Sequence, residues 1–299
     1  HMYDVYAPLV SEVDMKVDYD KAKDMVKEGL APIGEDYIKA LEEGFNNKWI
    51  DVYENEGKRS GAYSWGAYGT HPYVLMNYNG TLNHVFTLAH EMGHALHSYY
   101  SDANQSYHNA GYSIFVAEVA STCNEALLIH YLLEKTTDKK EKAYLINYFL
   151  EQFKGTLFRQ TMFAEFEKKT HELVEAGETL NVDMLNELYR GLNEQYFGPD
   201  MILDDEINLE WARIPHFYKP FYVYQYETGF SAAIALSKRI RELGEEGDAD
   251  YMKFLTGGGS KYPIDLLKLA GVDMTSPQPV KDAIKVFEDL VAQLEELDV

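Results

Sequence analysis

The stretch that most limits how this chain can fold is Thr87-Leu88-Ala89-His90-Glu91-Met92-Gly93-His94-Ala95-Leu96-His97. Residues four apart on an α-helix lie one turn above each other, so a helix here points His90 and His94 the same way and lets them grip one ion. Glu91 projects at an angle to that pair, placed to reach a water on the ion without being a ligand. This is the His-Glu-x-x-His pattern of zinc hydrolases. The lead-in from Leu82 has no Pro or Gly, and Asn79-Gly80-Thr81 supplies a turn and an N-cap. Val85, Ala89, Met92 and Leu96 form an apolar stripe. His90, His94 and His97 occupy another face, so the motif is expected on the helix's non-core side.

Catalytic zinc usually takes three protein ligands and one water. A third His six residues after the second would mark a metzincin, but that position is Tyr100. His97 shares the face yet stands one turn too far along the axis. Glu118, in Phe115-Val116-Ala117-Glu118-Val119-Ala120-Ser121-Thr122-Cys123-Asn124-Glu125, is the stronger candidate. A carboxylate among Val and Ala is costly to bury unless paired or metal-bound. Ser121, Thr122 and Glu125 follow it at helical spacing and are expected to orient the ligands.

Composition narrows the alternatives. A single Cys, Cys123, excludes an intrachain disulfide, leaves His and carboxylates as metal ligands, and suits a reducing cytoplasm. A formal net charge of −22 argues against nucleic acid or an anionic membrane as partner. No apolar run approaches a membrane span. His1-Met2 reads as the remnant of an expression tag, and 3–299 as one domain without a linker.

The coarse pattern is mainly α. Residues 3–16 read as an extended lead-in. Helices are expected over 20–30, 35–45, 115–134, 139–175, 183–196, 222–243, 248–255 and 279–297, with breaks at Gly and Pro. Trp49 to Tyr53 reads as a short strand and Gly57 to Gly69 as irregular loop. Pro72 to Tyr78 is the best strand, and Pro72 argues for a sheet edge or a strand terminus, where an extended peptide could pair. Gly257-Gly258-Gly259-Ser260 lacks the ending of a phosphate loop and reads as a mobile rim or a helix terminator.

Thr70-His71-Pro72-Tyr73-Val74-Leu75-Met76-Asn77-Tyr78, the His90–His94 segment and Ala117-Glu118-Val119-Ala120-Ser121-Thr122 together resemble oligoendopeptidase F, a branch of the thimet-type zinc oligopeptidases. Gly155 to Phe166, Ile214-Pro215-His216-Phe217-Tyr218 and Tyr222-Val223-Tyr224-Gln225-Tyr226 extend the likeness along the chain in family order. The resemblance implies a mainly α, zincin-like catalytic domain with a small β-sheet flanking the active-site cleft. It implies one Zn2+ on His90, His94 and Glu118, Glu91 as catalytic carboxylate, and cleavage of short peptides. It also implies transition-state support from His216 and a Tyr, with Tyr222 ahead of Tyr224 and Tyr226. Only the catalytic half of the family's architecture is matched, so an N-terminal half is the expected missing partner. Two alternatives stand: a carboxypeptidase using Arg159, Arg213 or Lys261 to hold a terminal carboxylate, and an inactive metal- or peptide-binding fragment.

Overall fold

The structure is a computed structural model that describes residues 1–10, 13 and 15–297. Its elements in order are α1 (Tyr19–Leu30), α2 (Glu35–Asn46), β1 (Ile50–Asp51), β2 (Tyr63–Trp65), β3 (Tyr73–Leu75), α3 (Leu82–Asn104), α4 (Tyr107–Ala110), α5 (Ile114–Lys135), α6 (Lys139–Gln152), a π-helical segment (Phe153–Phe158), α7 (Arg159–Glu175), α8 (Val182–Phe197), α9 (Tyr224–Leu243), α10 (Glu245–Leu255), α11 (Pro263–Leu269) and α12 (Gln278–Leu297). Short 3-10 segments cover Met2–Tyr6, Ala31–Ile33, Asp205–Arg213 and Pro215–Tyr218. The fold is mainly helical with one small sheet, as expected, and no described helix is long and apolar enough to cross a membrane.

Two compact units divide the chain: His1–Ser11 with Asn147–Thr228, and Glu12–Ile146 with Gly229–Val299. Two of the three divisions fall inside helices, α6 and α9, where no linker composition could announce them. In the larger unit α3 packs chiefly on α5, with α1, α2 and α10 around it. Val85, Ala89, Met92 and Leu96 are buried, as the stripe requires. The expected non-core side of α3 is corrected, because Glu91, Gly93 and His97 are buried as well. Helix α5 covers the histidine face. A third ligand from a second helix demands that cover.

The sheet order is β1-β3-β2, β3 pairing parallel with β1 and antiparallel with β2. Pro72 lies just before β3, at a strand terminus, while the edge reading is corrected: β3 is central and β2 is an edge. The stretch 57–69 was expected as loop, yet contains β2, whose Ser64 pairs with Val74. Three residues cannot display an alternation, so only the long-range partner defines them as strand. The extended lead-in is corrected at its start by the 3-10 turn Met2–Tyr6, fastened where Met2 N–H donates to the Ile202 carbonyl at 3.1 Å. Ser11, Glu12 and Asp14 of that lead-in lie outside the described residues. The Gly257–Ser260 loop ends α10 and is docked: Gly259 N–H donates to the Asn109 carbonyl at 2.7 Å. A Cβ on Gly258 would stand 2.4 Å from that oxygen, so the glycine permits the close approach.

The smaller unit gathers Met162, Phe163, Phe166, Tyr189, Leu192, Ile214 and Val223 into one core. The buried Glu210 carboxylate takes Tyr189 Oη at 2.6 Å and also binds Arg159 and Arg213. Two of the three cations that the carboxypeptidase reading offered, Arg159 and Arg213, are thus paired with Glu210, and Lys261 is exposed.

Candidate metal centre

Helix α3 is capped by Thr81, whose side chain accepts the His84 N–H, and runs unbroken through the motif. Its crossing with α5 is close because position 93 is glycine. A Cβ there would sit 2.6 Å from Ser121 Cα and 2.9 Å from the Ala120 carbonyl oxygen. The backbone approach that Gly93 permits brings Glu118, one turn before Ser121 on α5, up to the two histidines. Buried Asn124 ties the same crossing: its Nδ2 donates to the Ala89 carbonyl at 3.0 Å, and its Oδ1 accepts from Tyr37 Oη at 2.9 Å.

The result is a compact set of donors. Glu118 Oε2 lies 3.3 Å from His90 Nε2 and 3.4 Å from His94 Nε2, and one ligand atom from each residue falls within 4.8 Å of the others. The two imidazoles stand nearly perpendicular, at 85°. With zinc–ligand bonds of about 2.0–2.2 Å at tetrahedral angles, neighbouring donors should be roughly 3.3–3.5 Å apart. The spacing and the two-His, one-carboxylate donor set therefore fit such an ion. His90 Nδ1 stands 2.6 Å from Glu125 Oε1, so the proton on Nδ1 is donated there and Nε2 keeps its lone pair for metal. Ser121 Oγ donates to Glu118 Oε2 at 3.1 Å. Two members of the polar stripe thus reach the ligands.

The electrostatics call for positive charge. Burial disfavours a charged His90, yet the carboxylates of Glu118 and Glu125 outweigh it and raise the imidazole to about 10. Burial alone would raise Glu118, but hydrogen bonds from His90 and His94 hold it well below the usual carboxylate range. A cation between them meets the same demand as a proton on His90. Glu91 differs in kind. It is 6% exposed, its Oε2 has no hydrogen-bond partner, and burial raises its carboxyl above the ordinary value despite the neighbouring histidines. A proton acceptor of raised basicity beside a metal set is what general base–acid work needs.

His97 stays apart from the ligand set, buried with its ring stacked 3.7 Å from that of Tyr112. His216, Tyr222 and Tyr226 are brought together in the other unit: Tyr222 stacks on His216 at 5.6 Å, and Tyr226 Oη is 3.4 Å from His216 Nε2. Tyr224 is exposed and opens α9. The positions that sequence reasoning missed are Gly93 and Asn124. A glycine inside an apolar helix was the signal for the first, since it costs about 1 kcal/mol relative to Ala unless something must come close.

The chain is 56% identical over 297 residues to "Oligopeptidase PepF" of Bacillus subtilis and 46% identical over 296 residues to "Oligoendopeptidase F, chromosomal" of Lactococcus lactis subsp. cremoris. Each alignment covers 99% of this chain but only 44% and 49% of the relative, so the chain spans about half their length. The crystal structure of oligoendopeptidase-F from Enterococcus faecium superposes with a TM-score of 0.77 at 39% identity, over 99% of this chain and 46% of that one. The pattern described as peptidase family M3 matches residues 3–286. With a match running nearly end to end, and relatives this close along the same span, the chain belongs to peptidase family M3.

Proposed function

We propose that this chain carries the catalytic centre of a zinc-dependent endopeptidase that hydrolyses short peptides in a reducing, cytoplasmic setting. The observation that supports it best is the close approach of Glu118 Oε2 to both His90 Nε2 and His94 Nε2, at 3.3 and 3.4 Å, beside a buried, proton-hungry Glu91. When bound, a zinc ion supplies Lewis-acid chemistry, acidifying water and polarising a peptide carbonyl. Glu91 takes the proton of the attacking water and hands it to the departing amine. His90 is held in its binding tautomer by Glu125, and Glu118 is steadied by Ser121. By resemblance to the family, His216 and Tyr222 are assigned hydrogen bonds to the developing oxyanion, with Tyr224 and Tyr226 as the alternatives.

The chain's length relative to its relatives favours one second reading, in which it binds metal and peptide but turns nothing over without the remainder of a full-length enzyme. One experiment separates them. A quenched peptide blocked at both ends is incubated with the zinc-loaded chain, with chelated chain and with Glu91→Gln. The endopeptidase reading expects cleavage that chelator abolishes and that Glu91→Gln lowers by about 10²–10⁴-fold with zinc still bound. Turnover surviving in zinc-loaded Glu91→Gln would remove Glu91 as the base. No cleavage by the zinc-loaded parent chain would favour the binding fragment.

A further inference from the structure

We propose that Glu167, on α7, is a positioning residue that holds the backbone turn presenting Tyr222 to His216. The link between the 3-10 turn Pro215–Tyr218 and α9 contains Phe221 at φ +56°, one of two non-glycine residues with positive φ among those described. A bulky side chain there is strained and persists only where surroundings enforce it. Burial in a core is not what enforces it, because Phe221 is 53% exposed. Its N–H instead donates to Glu167 Oε1 at 2.7 Å, and Glu167 is only 4% exposed. One helical turn on, His171 lays its ring 4.7 Å from the Phe221 ring while donating Nδ1–H to the Glu167 carbonyl at 2.8 Å. Residues 167 and 171 share one face of α7, so a single helix grips Phe221 by backbone and by ring.

The residue after this grip is Tyr222. Its ring stacks on His216, meets Tyr226 edge-on at 5.5 Å and carries the Lys219 ammonium 4.7 Å above it. Val223, buried in the core of the smaller unit, anchors the far side. The left-handed turn therefore sets where Tyr222 falls between two fixed points. A buried carboxylate spent on one backbone amide, immediately before the aromatic cluster, is costly unless that amide's direction matters. The catalytic consequence rests on the Tyr222 assignment above; the turn itself does not.

The test uses the zinc-loaded chain and two readouts, amide exchange across 217–226 and peptide kinetics. Glu167→Met keeps the side chain's volume without an acceptor, while Glu167→Gln keeps an acceptor oxygen. Glu167→Met should speed exchange of the Phe221 amide about 10-fold or more and lower kcat about 10-fold, with KM and zinc content unchanged. Glu167→Gln should return both to within about 2-fold of the parent. Unchanged exchange in folded Glu167→Met overturns the proposal. Faster exchange with unchanged kcat upholds the turn and instead overturns the Tyr222 assignment. Should residue 167 tolerate no change, Phe221→Gly and Phe221→Val carry the test, since glycine accepts φ near +56° and a β-branched residue does not. Exchange across 217–226 should stay near the parent in the first and rise about 10-fold in the second; equal rates would overturn the proposal.

Discussion

The donor cluster of α3 and α5 and the aromatic cluster around His216 are built in opposite ways. In the first, every ligand sits on a long helix, the orienting groups are one or two turns away, and the crossing is buried and tied by Asn124. In the second, His216 lies on a four-residue 3-10 turn, Tyr222 follows a left-handed residue, and Phe221 and Tyr224 are exposed. Helices convert sequence spacing directly into geometry, whereas a turn takes its shape from distant partners such as Glu167. A rigid helical donor set and a more adjustable aromatic cluster follow from that division.

The sharpest way to break the comparison is to separate α3 from α5. Gly93→Ala puts a methyl group 2.6 Å from Ser121 Cα, against backbone rather than a flexible side chain, so the helices must move. We expect a stability loss of about 3 kcal/mol by urea denaturation, at the upper end for overpacking, with zinc binding lost by metal analysis. Amide exchange in the aromatic cluster should be unaffected. Retained zinc in a folded Gly93→Ala variant would show that the crossing does not set the ligand geometry.

A smaller change sharpens it. Glu125→Ala removes the acceptor of the His90 Nδ1 proton and leaves the ligands themselves in place. Zinc affinity should fall about 10–100-fold in competition with a chelator, the usual cost of losing a ligand's orienting partner. Wild-type affinity would mean that packing alone orients His90. This contact was legible in the sequence, because Glu125 lies two turns from Glu118 on one helical face, and Glu118 itself stood out as a carboxylate set among Val and Ala. Residues whose partners are remote were not legible. Ser64 is a strand residue only through Val74, and Arg159 and Arg213 pair with Glu210. Glu167 sits in a stretch that reads as ordinary amphipathic helix, and nothing local says that it binds an amide 54 residues away. The division into two units escaped for a related reason, since it cuts through α6 and α9 where composition does not change.

The smallest effect concerns a histidine that neither cluster uses. His97 is fully buried between Tyr112 and Phe254, neither ring nitrogen has a hydrogen-bond partner, and burial lowers its pKa to about 3. The unfolded chain binds a proton at this residue below about 6.5, and the folded chain does not until far lower pH. Stability is therefore whole above that value and is lost as pH falls through the window toward 3. Between pH 7 and 6 the loss from this one residue should be about 0.7 kcal/mol. His97→Phe keeps the stack on Tyr112 and removes the titration, so its urea midpoint should fall less between those two pH values than the parent's, with chelator in both arms to silence the metal. Equal slopes would mean that His97 is already protonated, or reached by water, in the folded chain. The donor cluster would then be less thoroughly closed on this side than the contrast with the aromatic cluster requires.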